Sequence, residues 1–135
     1  MKNHLLLVFT ILLVSCSSLK KTGSVDNFDE ITFGSGGGFT GITTTYMLNA
    51  DGSVYKMNGS QQEDIQRIDY KMLKKISKQL KKMDFESISS DTKGNMTYFI
   101  EVTTHDYRHK VTWTDQTADP ALSDFYSNLV KTLKK

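Results

Sequence analysis

The chain has little cysteine, proline or histidine: its 135 residues include one Cys, one Pro and three His. A single Cys excludes both an intrachain disulfide framework and a Cys-based zinc site. The charge is nearly balanced, with 17 Lys and Arg against 15 Asp and Glu, which gives no argument for nucleic-acid binding. Hydrophobic residues make up 38% and charged residues 24%. This globular composition excludes a disordered tail or a fibre, and the length suits one domain.

The amino-terminal segment predicts export. Lys2 precedes an apolar run, Leu5 to Val14, which only Thr10 interrupts. The run is shorter than the about 20 residues that span a bilayer, and it is typical of a signal peptide, here residues 1–15. Its end, Leu13-Val14-Ser15-Cys16, resembles the bacterial lipobox. The resemblance implies cleavage before Cys16 and lipidation of its sulfur and new amino terminus; the alternative is an ordinary secretory signal with an incidental Cys.

The segment after the lipobox predicts a tether and a location. Residues 16–27 comprise the lipidated Cys and small, polar and charged residues typical of a flexible linker. In Gram-negative lipoproteins, an Asp directly after the lipidated Cys resembles a signal for retention in the inner membrane. Ser17 stands here, which favours the outer membrane of a Gram-negative bacterium. A single compact domain is expected over 28–135.

The domain begins with three β-prone runs, Ile31 to Phe33, Ile42 to Leu48 and Ser53 to Met57. The Asp51-Gly52 step between the last two predicts a hairpin. Residues 58–66 are polar and are expected to form a surface loop. A second hairpin is predicted from Tyr98 to Trp113, turning around residues 105–107.

Apolar residues at helical spacing predict two helices. The first runs from about Tyr70 to Met83 with Asp69 as its N-cap, and the second follows Asp119-Pro120. The resulting order, β-β-β-α-β-β-α, predicts an α+β domain. We expect an antiparallel sheet of about five strands with both helices packed on one face.

The stretch from Gly34 to Gly41 holds five of the nine glycines. Gly36 to Gly41 satisfies G-x-G-x-x-G, but a β-prone run follows where a dinucleotide site requires a helix. Two interpretations stay open. One is a flexible or bulged hairpin connection, and the other is an exposed recognition loop that presents Phe39 to a partner. Phe39 could equally fold back against the edge of the core.

Other polar residues give no convergent chemistry. His105 and His109 flank a predicted turn and are interpreted as surface hairpin residues, not metal ligands. We therefore expect no catalytic residue, no metal and no cofactor, and hence no enzyme. Six lysines between 71 and 82 predict either a solvated helix face or a docking patch for an acidic partner or anionic lipid.

The glycine-rich stretch, with Gly37, Gly38, Phe39 and Gly41, resembles the opening of emfourin-type inhibitors of thermolysin-like metalloproteases. The helix ending near Phe85, the second hairpin and the terminal helix are similar in character. The resemblance implies a non-enzymatic inhibitor domain whose partner-binding residues are Gly36, Gly37, Gly38, Phe39 and Gly41. It predicts that Gly37→Asp abolishes binding without unfolding the domain.

The leading hypothesis is therefore a non-enzymatic, lipid-anchored outer-membrane protein whose glycine-rich loop binds a protein, most specifically a metalloprotease. The alternative is a structural or envelope-assembly lipoprotein that docks through its lysine-rich helix. No nucleic-acid partner is expected.

Overall fold

The computed structural model describes residues 25–133, so the predicted signal peptide, Cys16 and most of the predicted tether lie outside the described residues. The strands are β1 (Glu30–Gly37), β2 (Thr43–Asn49), β3 (Ser53–Asn58), β4 (Gln61–Arg67), β5 (Met96–Thr103) and β6 (Arg108–Trp113). The helices are α1 (Tyr70–Met83), a short 3-10 helix (Phe85–Ser87) and α2 (Pro120–Thr132). Within 25–133, no helix is long and apolar enough to cross a membrane.

The strands form one antiparallel sheet in the order β4-β3-β2-β1-β5-β6. The α+β class is confirmed, with six strands where about five were expected. The first strand in the chain occupies a central position, hydrogen-bonded to β2 on one side and β5 on the other. Hydrogen bonds to strands on both sides therefore hold β1 in place along its length.

Strand β4 lies where a surface loop was expected, and that expectation was wrong. Its residues are polar because β4 is one of the two edge strands and its side chains are mostly exposed on both faces. An edge strand obtains its backbone hydrogen bonds from one partner, here β3, and needs no apolar face to do so. Asn58 pairs with Gln61 across a two-residue turn that begins at Gly59. The Asn58-Gly59 step is the hairpin signal that could have predicted this strand.

Both helices pack on one face of the sheet, as expected. Alternate residues of the strands point to that face, because side chains along a strand alternate between its two sides. Phe33 of β1 contacts Tyr126 of α2, with ring centroids 6.4 Å apart. The buried core joins residues from the sheet, Ile31, Phe33, Leu48, Val54, Ile100, Val102, Val111 and Trp113, to residues from the helices, Leu73, Ile76, Leu80, Leu122, Phe125 and Leu129.

Both predicted helix caps are confirmed. The Asp69 carboxylate accepts from the backbone N–H of Met72 at 2.7 Å, and the Asp119 carboxylate accepts from the N–H groups of Ala121 and Leu122. Each cap satisfies donors that the first helical turn leaves unpaired. Pro120 occupies the first position of α2, where its missing N–H removes no helical bond.

The sheet has two distinct ends. We call the end where β1 begins the entry end; it also carries the β2–β3 and β5–β6 turns. Helix α1 crosses this end. Before it, Ile68 donates its N–H to Gly52 in the β2–β3 turn, and after it, the ring of Phe85 packs 5.5 Å from that of His109 in β6. The opposite end, where β1 finishes, is the loop end.

Candidate functional site

The glycine-rich stretch is largely strand and not loop, which corrects the expectation that β1 stops at Gly34. Gly34 to Gly37 continue β1, and Gly36 pairs with Thr43 of β2 and Thr97 of β5. Of the five predicted partner-binding residues, Gly36 and Gly37 therefore lie in the central strand. Gly38, Phe39 and Gly41 lie in the connection to β2, residues 38–42, which we call the tip loop.

Gly37 is glycine for a reason of backbone geometry. Its φ is +103°, a value that residues with a side chain rarely adopt. A Cβ at this position would lie 2.2 Å from the carbonyl oxygen of Asn95, in the segment before β5. The same oxygen accepts from the backbone N–H of Gly38 at 2.5 Å. The strand thus approaches that segment more closely than a side chain permits, and this contact fixes the base of the tip loop.

The tip loop holds apolar side chains in water. Gly41 donates its N–H to the carbonyl oxygen of Gly38 at 3.4 Å, which closes a turn with Phe39 and Thr40 at its centre. The relative exposure of Phe39 is 110% and that of Ile42 is 67%. Phe39 therefore does not fold back on the core, one of the arrangements that the sequence left open. It projects from the loop end.

A threonine network ties together the two segments beside the tip loop. The hydroxyls of Thr92 and Thr117 are 2.8 Å apart, and the Thr117 hydroxyl also accepts from the backbone N–H of Thr114. These contacts join the segment before β5 to the segment after β6. Between them lies a polar depression formed by residues 92–96 and 114–117. Asn95 and Met96 connect this depression to Gly37 and Gly38.

An aromatic groove of about 320 Å³ lies beside the depression, on the helix-covered face. Tyr98 stacks on Trp113 with ring centroids 6.0 Å apart, and Tyr126 of α2 stands edge-on to both at 5.5 Å. A hydrogen bond to the Asp115 carboxylate, with some burial, raises the pKa of Tyr98. Burial raises the pKa of Tyr126, and its hydrogen bond to Ser35 partly opposes that effect. Both phenols stay neutral at physiological pH.

The sequence did not predict the surroundings of the loop end. Tyr98 and Trp113 were expected at alternating positions of the two strands of the second hairpin, but the position of Tyr126 against them depends on how α2 crosses the sheet. Asn95 lies in a segment with no periodic pattern, and only the close approach at Gly37 marks it. Nothing in the sequence around Gly37 or around Asn95 indicates that the two segments come this close in the fold.

The two histidines of the second hairpin differ in their surroundings. His105 is exposed in the β5–β6 turn, whereas His109 is half-buried and donates from Nε2 to the Ile88 carbonyl oxygen at 2.7 Å. His109 thus supports packing at the entry end and is more enclosed than the predicted surface position. Within residues 25–133, no three His, Cys, Asp or Glu side chains form a group that could hold a metal ion.

Comparison with known proteins adds no relative: no protein-family model matches the chain, and no curated protein is significantly similar to it.

Proposed function

We propose that this protein is a non-enzymatic, lipid-anchored protein of the cell envelope whose tip loop binds a protein partner, most specifically a thermolysin-like metalloprotease. The observation that supports the proposal is the full exposure of Phe39 at the centre of a turn whose base is held by the backbone. The similarity of residues 37–41 to emfourin-type inhibitors supports the choice of partner. The anchor, at Cys16, comes from the lipobox resemblance and Ser17 favours the outer membrane.

The exposed side chains of the tip loop suit a partner's apolar pocket. Phe39 and Ile42 contribute little to this domain's own core, because both lie mainly in water. Burying one such side chain against a partner contributes about 1.5–3 kcal/mol, and aromatic residues often dominate interface energies. The flanking Gly38 and Gly41 have no side chain to hold a partner's backbone away. Together they form a narrow projection that fits a cleft.

The base of the tip loop is already ordered before any partner binds. Gly37 pairs with Met96 of β5, and Gly38 bonds to Asn95. Because β1 is a central strand, movement of its last residues would break hydrogen bonds to neighbours on both sides. Binding therefore loses little conformational entropy at the base, which favours affinity. The protease would be blocked by occupation of its cleft, and no residue of this chain needs to react.

The direct test is inhibition of a thermolysin-like metalloprotease by the full-length protein. We expect inhibition that titrates with a one-to-one stoichiometry, and an unchanged result for Tyr70→Ala, a matched exposed aromatic at the entry end. Absence of inhibition by the unmodified protein would contradict the choice of partner.

A charge-reversed variant separates this proposal from docking through the lysine-rich helix. Lys74→Glu with Lys78→Glu changes exposed residues of α1, which lies at the other end of the sheet. Binding through the tip loop leaves affinity for the protease unchanged in this variant. Affinity that falls with this variant and rises with lower salt would instead assign the partner to α1.

A further inference from the structure

The exposed face of α1 carries an unusual concentration of positive charge. Six of the chain's 17 basic residues lie on this helix, and none of its 15 acidic residues do. All six are exposed, on the side of α1 away from buried Leu73, Ile76 and Leu80. Within residues 25–133 the ion pairs are Arg67–Asp51 and Arg108–Glu101, so none of the six is paired there. The lysines are Lys71, Lys74, Lys75, Lys78, Lys81 and Lys82, and we call them the lysine face.

The chain enters the domain beside this face. The side-chain amide of Asn27 donates to the Ser77 hydroxyl at 2.7 Å and to its carbonyl oxygen at 3.2 Å. Val25 donates its N–H to Ala50, at the end of β2. Both contacts lie at the entry end of the sheet. The first described residues are thus held against the middle of α1, at the edge of the lysine face, where Lys81 lines the same depression as Asn27.

Chain length limits how far the lipid anchor can lie from α1. Nine residues along the sequence separate Cys16 from Val25. Even fully extended, such a segment spans at most about 30–32 Å. A lipid on Cys16 therefore keeps the entry end within that distance of the bilayer. The loop end lies at the other end of β1, which is eight residues or about 25 Å long, and is therefore farther from the point where the chain enters the domain.

We infer that the lysine face of α1 lies on the surface of the anchoring bilayer, against anionic phospholipid headgroups, with the tip loop at the end of the sheet away from the anchor. The inference rests on the lipidation of Cys16 in the proposed function. Each lysine near an anionic membrane surface increases the partition coefficient of the protein onto that surface roughly fivefold. The anchor supplies lasting attachment and the lysine face supplies orientation. An acidic protein is the competing occupant, but it would not explain why the chain enters beside this face.

Site-specific labelling of the full-length lipidated protein tests the orientation. Lipidation consumes the chain's one Cys, so Lys78→Cys introduces a single free thiol on the lysine face. Phe39→Cys introduces the matched thiol at the loop end. Each is coupled to a fluorophore, and quenching by lipids with nitroxide headgroups is measured in phosphatidylcholine vesicles with and without phosphatidylglycerol. Mass spectrometry of the same samples checks the lipid on Cys16.

We expect strong quenching at position 78 and little at position 39 in the anionic vesicles, with the signal at 78 lost in neutral vesicles or at high salt. Lys71→Gln with Lys75→Gln should lower the ratio of docked to undocked protein roughly 25-fold. Weak quenching at 78 in the anionic vesicles overturns the inference and leaves an acidic protein as the occupant, and equally strong quenching in neutral vesicles overturns the role of the lysine charge. A chain without lipid on Cys16 overturns the anchor and the inference together, whereas failure to inhibit a metalloprotease affects neither.

Discussion

The backbone N–H of Gly38 donates to the carbonyl oxygen of Asn95 at 2.5 Å, and this contact joins the tip loop to the segment before β5. The neighbouring Gly37 adopts a φ of +103° beside the same oxygen. The contact explains why the glycine-rich stretch is not simply flexible. Its glycines allow the central strand to run close to its neighbours, and the strand then presents a short turn with Phe39 at its centre.

Gly37→Ala is expected to lower the free energy of unfolding by about 2–3 kcal/mol. The substitution adds the cost of a positive φ to the displacement of Asn95. Gly41→Ala is the matched control, because Gly41 also has a positive φ, +63°, but its Cβ would meet open space. It should cost only about 1 kcal/mol. Chemical denaturation measures both, and equal losses would show that the approach to Asn95 is unimportant.

The close approach of Gly37 to Asn95 makes substitution of Gly37 unsuitable as a test of binding. Gly37→Asp was expected to abolish binding without unfolding the domain, but its side chain would be forced against Asn95. Any loss of binding in that variant would therefore include damage to the pairing of β1 with β5. Substitution of Phe39 avoids the problem, because its side chain is surrounded by water.

Asp51→Asn is expected to make stability less dependent on pH in the acid range. Hydrogen bonds from the Ser53 hydroxyl and N–H, with the nearby Arg67, lower the pKa of Asp51 below its ordinary value of 3.8. A lowered pKa in the folded state stabilises the fold above that ordinary value, and the contribution is lost as the pH falls through the lowered one. At neutral pH we expect the variant to lose about 1 kcal/mol, since the site is exposed.

The measurement is the free energy of unfolding of both proteins from neutral pH to below pH ~3. The two curves should be separated by a constant amount above about pH 5 and should converge in acid. A separation that persists unchanged into acid would show that Asp51 acts through packing and not through its charge.

Asn27 and Ser77 are expected to stabilise the domain jointly. A double-mutant cycle with Asn27→Ala and Ser77→Ala should give a coupling energy of about 0.5–1.5 kcal/mol, because the 2.7 Å bond exists only when both side chains are present. Thermal or chemical unfolding of the four proteins measures it. Strictly additive effects would mean that the entry of the chain beside α1 is not held by this pair.

Local signals in the sequence were sufficient for much of the fold. The caps Asp69 and Asp119 and the apolar spacing after them marked both helices, and Asp51-Gly52 marked the β2–β3 turn. Strand β4 was not predicted because its side chains are exposed on both faces, so it has no alternating apolar pattern. The end of β1 was placed too early, since glycine normally weakens a strand and here permits a close approach.

Only part of the candidate site could be predicted from the sequence. Phe39 stood out because glycines flank it, and the structure shows its exposure. The residues that surround the loop end could not be predicted in the same way. Asn95 and Tyr126 lie far along the chain, and only the pairing of β1 with β5 and the crossing of α2 bring them to the loop end.

The most direct test of the account is the dissociation constant of Phe39→Ala for a thermolysin-like metalloprotease, beside that of the unmodified protein. We expect binding to be weakened by about 10- to 100-fold, the equivalent of one buried aromatic side chain, with an unchanged unfolding midpoint. A variant that binds as tightly as the unmodified protein would contradict the assignment of the tip loop as the binding surface.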